Sequence, residues 1–137
     1  MRGASAVQRI LEARPELVVR VFVVWEPVIA TDVAPPTTGT LSRIHDRRAI
    51  QFWDHDRALS ADIVGSVMAA PDRYGLSSEF DESAIVWDTV ALFPPDARWD
   101  RDFPVPTYYG SPVVEAAGGL RDALSSASSN TKPKSSP

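Results

Sequence analysis

The pattern of apolar and polar positions changes most sharply along residues 18–32, VVRVFVVWEPVIATD. Val18–Trp25 is apolar at nearly every position, so both sets of alternate residues, which would point to opposite faces of a strand, are apolar. Such a run predicts a β-strand that is covered on both faces, because a strand with one solvated face alternates apolar and polar residues. Upstream, apolar residues at helical spacing predict a helix that starts at Ser5, a good N-cap residue, and ends at Arg14, since Pro15 disfavours the helical conformation there.

Clusters of Pro, Gly, Ser and Thr divide the rest of the chain into shorter segments. Apolar residues at helical spacing behind a capping Ser predict helices, and β-branched or aromatic runs between turn residues predict strands. The predicted elements are, in chain order, a loop at 31–41, a helix at Ser42–Asp54, a helix at Ala61–Met68 capped by Ser60, a polar connection at 70–82, a strand at Ser83–Phe93, a short hairpin or bent strand at Thr107–Glu115 and a helix at Leu120–Ser126. Helices and strands in this order predict an α/β layered domain.

The composition fits one globular domain. A chain of 137 residues with 44% hydrophobic residues is in the usual range for a single domain, which we assign to 1–127. Residues 128–137, SSNTKPKSSP, predict a disordered tail because they offer almost no apolar surface to bury. Charges lie among the apolar residues of the N-terminal segment, which fits neither a signal peptide nor a membrane span, so we expect a soluble cytoplasmic protein.

Charge and cysteine content exclude several kinds of function. The formal net charge is -4, which disfavours binding to nucleic acid or to an anionic membrane, since both attract basic surfaces. The chain contains no Cys. It therefore has no disulfide, no thiolate nucleophile and no thiolate metal ligand.

The order of elements resembles the thioredoxin-like fold over most of the chain, from Ala4 to Ala127. The resemblance implies a three-layer α/β/α domain with a three-stranded core. In this comparison residues 4–14 resemble the helix that follows the redox motif, and Val18–Trp25 resembles the second strand. The remaining correspondences are the middle helix at 42–69, the closing strand pair at Ser83–Phe93 and Thr107–Glu115, and the last helix at Leu120–Ser126.

The chain departs from this family where the family carries its redox chemistry. The resemblance implies a Cys-x-x-Cys motif between a first strand and the first helix, and this sequence contains neither. Val105–Thr107, VPT, looks like the family's cis-proline segment, which implies that Pro106 lies beside the redox site; here it precedes the last strand, and not the first strand of the closing pair. The first strand is thus expected to be missing, either because the chain is shortened or because it belongs to a redox-inactive relative. Val18–Trp25 would then have an open edge through which two copies could pair.

Two groups of polar residues are candidates for chemistry. Glu26 and Asp32 follow the first strand, and sites in open α/β sheets gather at the carboxyl ends of parallel strands; an ordinary polar strand end is the alternative. His45 and His55 lie in the segment HDRRAIQFWDHD, whose imidazoles and carboxylates could bind a metal or transfer protons. The two His are ten residues apart, which does not place them on one helix face, and a solvated helix face is the alternative reading.

The sequence therefore leaves two functions open. The first is a thioredoxin-like protein without redox cysteines, either a truncated relative of thiol–disulfide oxidoreductases or a non-catalytic binding or accessory module with a protein partner. The second is a small α/β metal-dependent or hydrolytic enzyme that uses the segment from His45 to Asp56. No catalytic residue, metal or cofactor is assigned by the sequence, and no phosphate-binding or nucleophile-elbow motif occurs in it.

Overall fold

The computed structural model describes residues 2–29, 31, 33–76, 80 and 84–130. These residues form helices and small sheets of a mixed α/β protein. The elements are, in chain order, α1 (Arg2–Ala13), β1 (Val21–Trp25), α2 (Thr38–Leu41), β2 (Ala49–Trp53), α3 (Ala58–Ala69), α4 (Pro71–Tyr74), β3 (Val90–Leu92), β4 (Tyr108–Gly110) and α5 (Val113–Asn130). Within these residues no helix is long and apolar enough to cross a membrane.

The two long terminal helices pack on each other. α1 ends at Ala13, as Pro15 predicts, but begins at Arg2, so Ser5 lies inside the helix and does not cap it. α5 is much longer than the predicted Leu120–Ser126 and includes residues 128–130 of the segment assigned to a tail; the rest of that segment lies outside the described residues. Ile10 of α1 and Leu120 and Leu124 of α5 form one core cluster together with Leu17, which follows α1.

The segment predicted as a helix at Ser42–Asp54 contains a strand instead. β2 pairs with β1 in parallel, with Val21 opposite Ala49 and Trp25 opposite Trp53. Ala49–Trp53, AIQFW, is rich in residues that favour strands. The helix prediction was wrong because the polar residues upstream gave a helical spacing, whereas pairing with β1 across the sequence decides the conformation.

Arg48 and Gln8 attach this parallel sheet to the end of α1. The Arg48 guanidinium donates to the carbonyl oxygens of Leu11, Arg14 and Leu17 over 2.7–3.2 Å. Gln8 Oε1 accepts from the backbone N–H groups that begin the turn before β2, at 3.0 and 3.1 Å. These partly buried polar contacts therefore tie one end of the sheet to α1 and to the residues that follow it.

The second sheet is a short antiparallel pair. β3 covers only Val90–Leu92 of the strand predicted at Ser83–Phe93, and Ser83 itself lies outside the described residues. β4 covers Tyr108–Gly110, and the residues predicted to continue it already belong to α5. The predicted three-stranded core is thus wrong for the described residues, which form two separate two-stranded sheets.

A second core cluster lies around α3 and α4. It contains the buried residues Ile63, Val67, Tyr74 and Phe103, against which Val86 and Phe93 also pack. The predicted helix Ala61–Met68 is confirmed inside α3, but its N-cap is Arg57 in the left-handed conformation, with φ 57°, and not Ser60. The Ser60 side chain has another role, which is described below.

Candidate functional site

Two carboxylates lie side by side where the parallel strands end. Glu26 follows β1 and Asp54 follows β2, and the Asp54 N–H donates to the carbonyl oxygen of Trp25 at 2.9 Å. Parallel strands in register bring their carboxyl ends to one edge of a sheet. The pair is therefore a direct consequence of the register of β1 and β2.

The buried Ser60 of α3 connects this pair to the region before β3. Its N–H and hydroxyl donate to the two oxygens of Glu26, at 3.1 and 2.5 Å. The Ser60 oxygen in turn accepts from the N–H of Val86 at 2.9 Å. The Glu26 carboxyl group thus joins the end of β1, the first turn of α3 and the chain that leads into β3.

The environment separates the proton affinities of the two carboxyl groups. Burial raises the pKa of Glu26, the Ser60 hydrogen bonds oppose that shift, and the nearby Asp54 carboxylate adds to it. Burial, the largest single influence, acts to raise the pKa of Asp54, but hydrogen bonds from the backbone N–H groups of Leu59 and Ala58, together with smaller ones from Glu26 and Asp56, lower that pKa overall. As pH falls, Glu26 is therefore protonated before Asp54, whose carboxylate lies at the N-terminus of α3, where an anion is favoured.

This arrangement is suited to holding the fold together more than to catalysis. A carboxyl group with a raised pKa can act as a general acid or base. Here both Glu26 oxygens are engaged by Ser60, and the Ser60 oxygen is engaged by Val86. Among the described residues no group of three His or acidic side chains could hold a metal ion.

The five candidate residues of the sequence have different locations. Glu26 is half-buried in the cluster just described, and Asp32 lies outside the described residues. Pro106 is half-buried before β4, but the Val105–Pro106 bond is trans; the cis bond found among the described residues is Ser111–Pro112. The expected likeness to a cis-proline segment at Pro106 is therefore wrong, while His45 and His55 are exposed.

The two His residues are at opposite ends of β2. His45 precedes the strand and contacts Gln8 and Glu12 of α1, whereas His55 follows the strand and bonds to Asp56 at 2.8 Å. A strand of this length spans roughly 16 Å. A common metal site for both imidazoles is excluded by that separation, and the expected helix face that would carry them does not exist.

One face of the parallel sheet is apolar and exposed. Phe22 is 59% exposed, and its neighbours on β2, Ile50 and Phe52, are 46% and 48% exposed. The rings of Phe22 and Phe52 are 6.2 Å apart. The prediction of a strand covered on both sides is therefore wrong for β1, because within the described residues one face of its sheet has no covering layer.

The same strand has an unpaired edge. The Val21 N–H donates to the Arg48 carbonyl, so odd-numbered residues of β1 point their backbone groups toward β2. The backbone groups of Phe22 and Val24 then point to the opposite edge, since successive residues alternate. No strand of the described chain pairs with that edge.

Sequence reasoning identified Glu26 but missed Ser60 and the pairing with Asp54. Glu26 was found from its place behind a strongly apolar strand. Asp54 has the same place behind β2, so recognising AIQFW as a strand would have found it too. Comparison of the chain with protein families, with curated proteins and with solved structures finds no match. The local geometry therefore carries the functional argument.

Proposed function

We propose that this chain is a non-catalytic interaction domain, built on a thioredoxin-like plan, that binds an extended segment of a partner protein along the open edge of β1. The observation that carries the proposal is the combination, on one strand, of backbone groups at Phe22 and Val24 that no strand in the described ranges pairs with and an exposed apolar face. A partner strand would gain main-chain hydrogen bonds from the edge and apolar contacts from the face.

The size of the sheet supports this proposal. Parallel strands are normally buried on both faces in larger sheets, and an isolated pair of strands is marginally stable. β1 and β2 have five residues each, and no further strand of the described residues joins them. An added strand would extend the sheet and cover part of the Phe22 face.

The thioredoxin-like plan is supported by the arrangement of the helices. α1 and α5 share one core cluster, against which Val90 and Leu92 of β3 pack, and α3 and α4 share another, against which Phe93, the residue after β3, packs. The antiparallel pair β3–β4 precedes the last helix. Without a thiol the chain cannot perform disulfide exchange, because the thiolate is the attacking group. Of the functions that a thioredoxin-like domain could have, binding is therefore the one we propose.

The metal-dependent or hydrolytic alternative has no comparable support. It needs the residues from His45 to Asp56 to converge, and β2 separates the two imidazoles. The Ser60 hydroxyl is buried and bonded to Glu26 and Val86, which leaves it no access to a substrate.

A synthetic strand tests the proposal. The probe is a fluorescent peptide as long as β1, made of Val and Ile and flanked by Lys pairs for solubility. Fluorescence anisotropy should show saturable binding to the full chain. Val24→Pro removes an N–H from the open edge but none from the ladder with β2, where proline is tolerated, and should weaken binding by about tenfold.

The control for this variant is Val33→Pro, in the exposed loop before α2, which should bind the peptide like the unaltered chain. Equal binding by Val24→Pro, or no binding by the unaltered chain, contradicts the proposal. Sedimentation over a concentration series tests the competing occupant, a second copy: association that Val24→Pro abolishes would assign the edge to a homodimer instead.

A further inference from the structure

Three exposed side chains lie in one row that leads into β1. Val18 is 101% exposed and Phe22 is 59% exposed, and Arg20 between them is exposed as well. The residues that alternate with them face inward, since Leu17 belongs to the core cluster shared by α1 and α5 and Val19 packs against it. This alternation has the period of a strand. Val18, Arg20 and Phe22 therefore form one row, which we call the edge row.

The edge row lies along the open edge of β1. The Val21 N–H donates to the Arg48 carbonyl before β2, so the backbone groups of Phe22, and of Arg20 by the same alternation, point away from β2. A strand added there in the antiparallel direction places one residue directly opposite each residue of the row, with both side chains on the same face. The side chains of the row therefore determine which residues of an added strand fit.

Arg20 gives the edge row a positive charge. It forms no ion pair with any residue of the described ranges, whereas Arg14, Arg48 and Arg73 each have a carboxylate partner there. Opposite charges in facing positions stabilise a pair of strands, and like charges destabilise it. The residue of an added strand that lies opposite Arg20 is therefore expected to be acidic.

The other end of β1 offers no comparable charge to a partner. Glu26, directly after β1, is half-buried, and its two oxygens accept from the N–H and the hydroxyl of Ser60. Between the two ends, Phe22 and Val24 present apolar side chains. The edge is therefore positive at its N-terminal end and apolar in the middle, which gives an added strand a preferred direction as well as a preferred sequence.

We propose that the partner segment runs antiparallel to β1 and carries an acidic residue near its C-terminal end, opposite Arg20, after apolar residues that lie opposite Val24 and Phe22. The proposal rests on the proposed function and specifies the sequence and the direction of its ligand. The antiparallel direction is favoured because an antiparallel ladder is more stable per residue than a parallel one. Arg20 is then the residue that determines specificity, and Phe22 supplies apolar contact.

Two isomeric fluorescent peptides test the direction and the charge together. Both have a Val and Ile core as long as β1; one has a Lys pair before the core and a Glu pair after it, and the other has the two pairs exchanged. Their net charges are equal, so attraction to the net charge of the chain does not distinguish them. Fluorescence anisotropy should show that the peptide with the C-terminal Glu pair binds the full chain at least about fivefold more tightly, since a favourable pair with Arg20 replaces a like-charged one.

Three variants assign this preference to Arg20. Arg20→Gln should remove most of the preference, and Arg20→Lys, which keeps the charge, should retain it. The matched control is Arg47→Gln, at an exposed arginine that precedes β2 and lies outside the edge row, which should leave the preference unchanged.

The possible outcomes separate this inference from the function on which it rests. Equal binding of the two peptides, or an unchanged preference in Arg20→Gln, would overturn the role of Arg20 and leave strand binding intact. Tighter binding of the peptide with the N-terminal Glu pair would overturn the antiparallel direction. If neither peptide binds, the proposed function fails and this inference fails with it.

Discussion

Replacing Arg48 should destabilise the protein more than any other single loss of a charge in the described chain. Its side chain is 11% exposed, and that of its partner Asp46 is 13% exposed. The guanidinium donates to both Asp46 oxygens at 2.7 and 2.8 Å, and to the carbonyl oxygens of Leu11, Arg14 and Leu17. This pairing lowers the pKa of Asp46 far below its usual range.

The expected cost follows from the groups that Arg48→Met would leave behind. The carbonyls of Leu11 and Arg14 also accept from backbone N–H groups at 3.2 Å, so they keep a partner. The Leu17 carbonyl loses the donor that the structure gives it, and the Asp46 carboxylate keeps a backbone N–H at 2.9 Å but loses its counter-charge. Breaking a largely buried pair on one side costs about 3–5 kcal/mol, a large part of a typical stability of about 5–15 kcal/mol.

Urea unfolding followed by tryptophan fluorescence measures this cost. The matched control is Arg47→Met, one residue away and exposed, which should change the free energy of unfolding by no more than about 0.5 kcal/mol. Asp46→Asn combined with Arg48→Met should recover part of the loss, because the unpaired carboxylate is gone. The reasoning is refuted if Arg48→Met unfolds like the Arg47 control.

Three further outcomes are expected from the same unfolding assay. Burial raises the pKa of Glu26, so the stability that its protonated form contributes is complete below the unfolded pKa and is lost as pH rises through the raised folded pKa. Relative to Glu26→Gln, the unaltered chain should therefore lose stability as pH rises above the unfolded value of 4.5. The control is Asp96→Asn at an exposed position, and the same pH-dependent loss relative to that variant would contradict the assignment to Glu26. Phe22→Asp should lower the free energy of unfolding by less than about 1 kcal/mol, because the Phe22 ring is mostly exposed. Val23→Asp, on the half-buried face, should lower it by about 2 kcal/mol or more. Equal losses for the two variants would mean that both faces of β1 are covered. His55→Ala should change stability by at most about 0.5 kcal/mol, and loss of a bound zinc ion in this variant would restore the metal hypothesis.

Local signals in the sequence predicted the parts of the fold that local interactions determine. The end of α1 follows from Pro15, which restricts the residue before it. The middle of α3 follows from its apolar stripe, and β1 from its apolar run. Each of these features needs only a few neighbouring residues to be decided.

The parts that were predicted wrongly depend on contacts between distant segments. β2 is a strand because it pairs with β1 and because Arg48 bonds to the end of α1, and neither contact is visible in the residues 42–54 themselves. Ser60 is of a residue type that often caps helices, but its hydroxyl donates to Glu26 instead. Glu26 could be identified from its place after β1, while its partner Asp54 could not, since that assignment needed β2 to be a strand.

The two unusual features of β1, its open edge and its exposed face, have one cause. Phe22 and Val24 direct their backbone groups to the open edge and their side chains to the uncovered face, since both alternate with the same period along a strand. A strand added at that edge would therefore place its own side chains beside the Phe22 ring. Phe22→Asp should leave the free chain almost as stable as before and yet weaken the binding of an apolar strand. That combination would show that the Phe22 side chain contributes to binding and not to the stability of the fold.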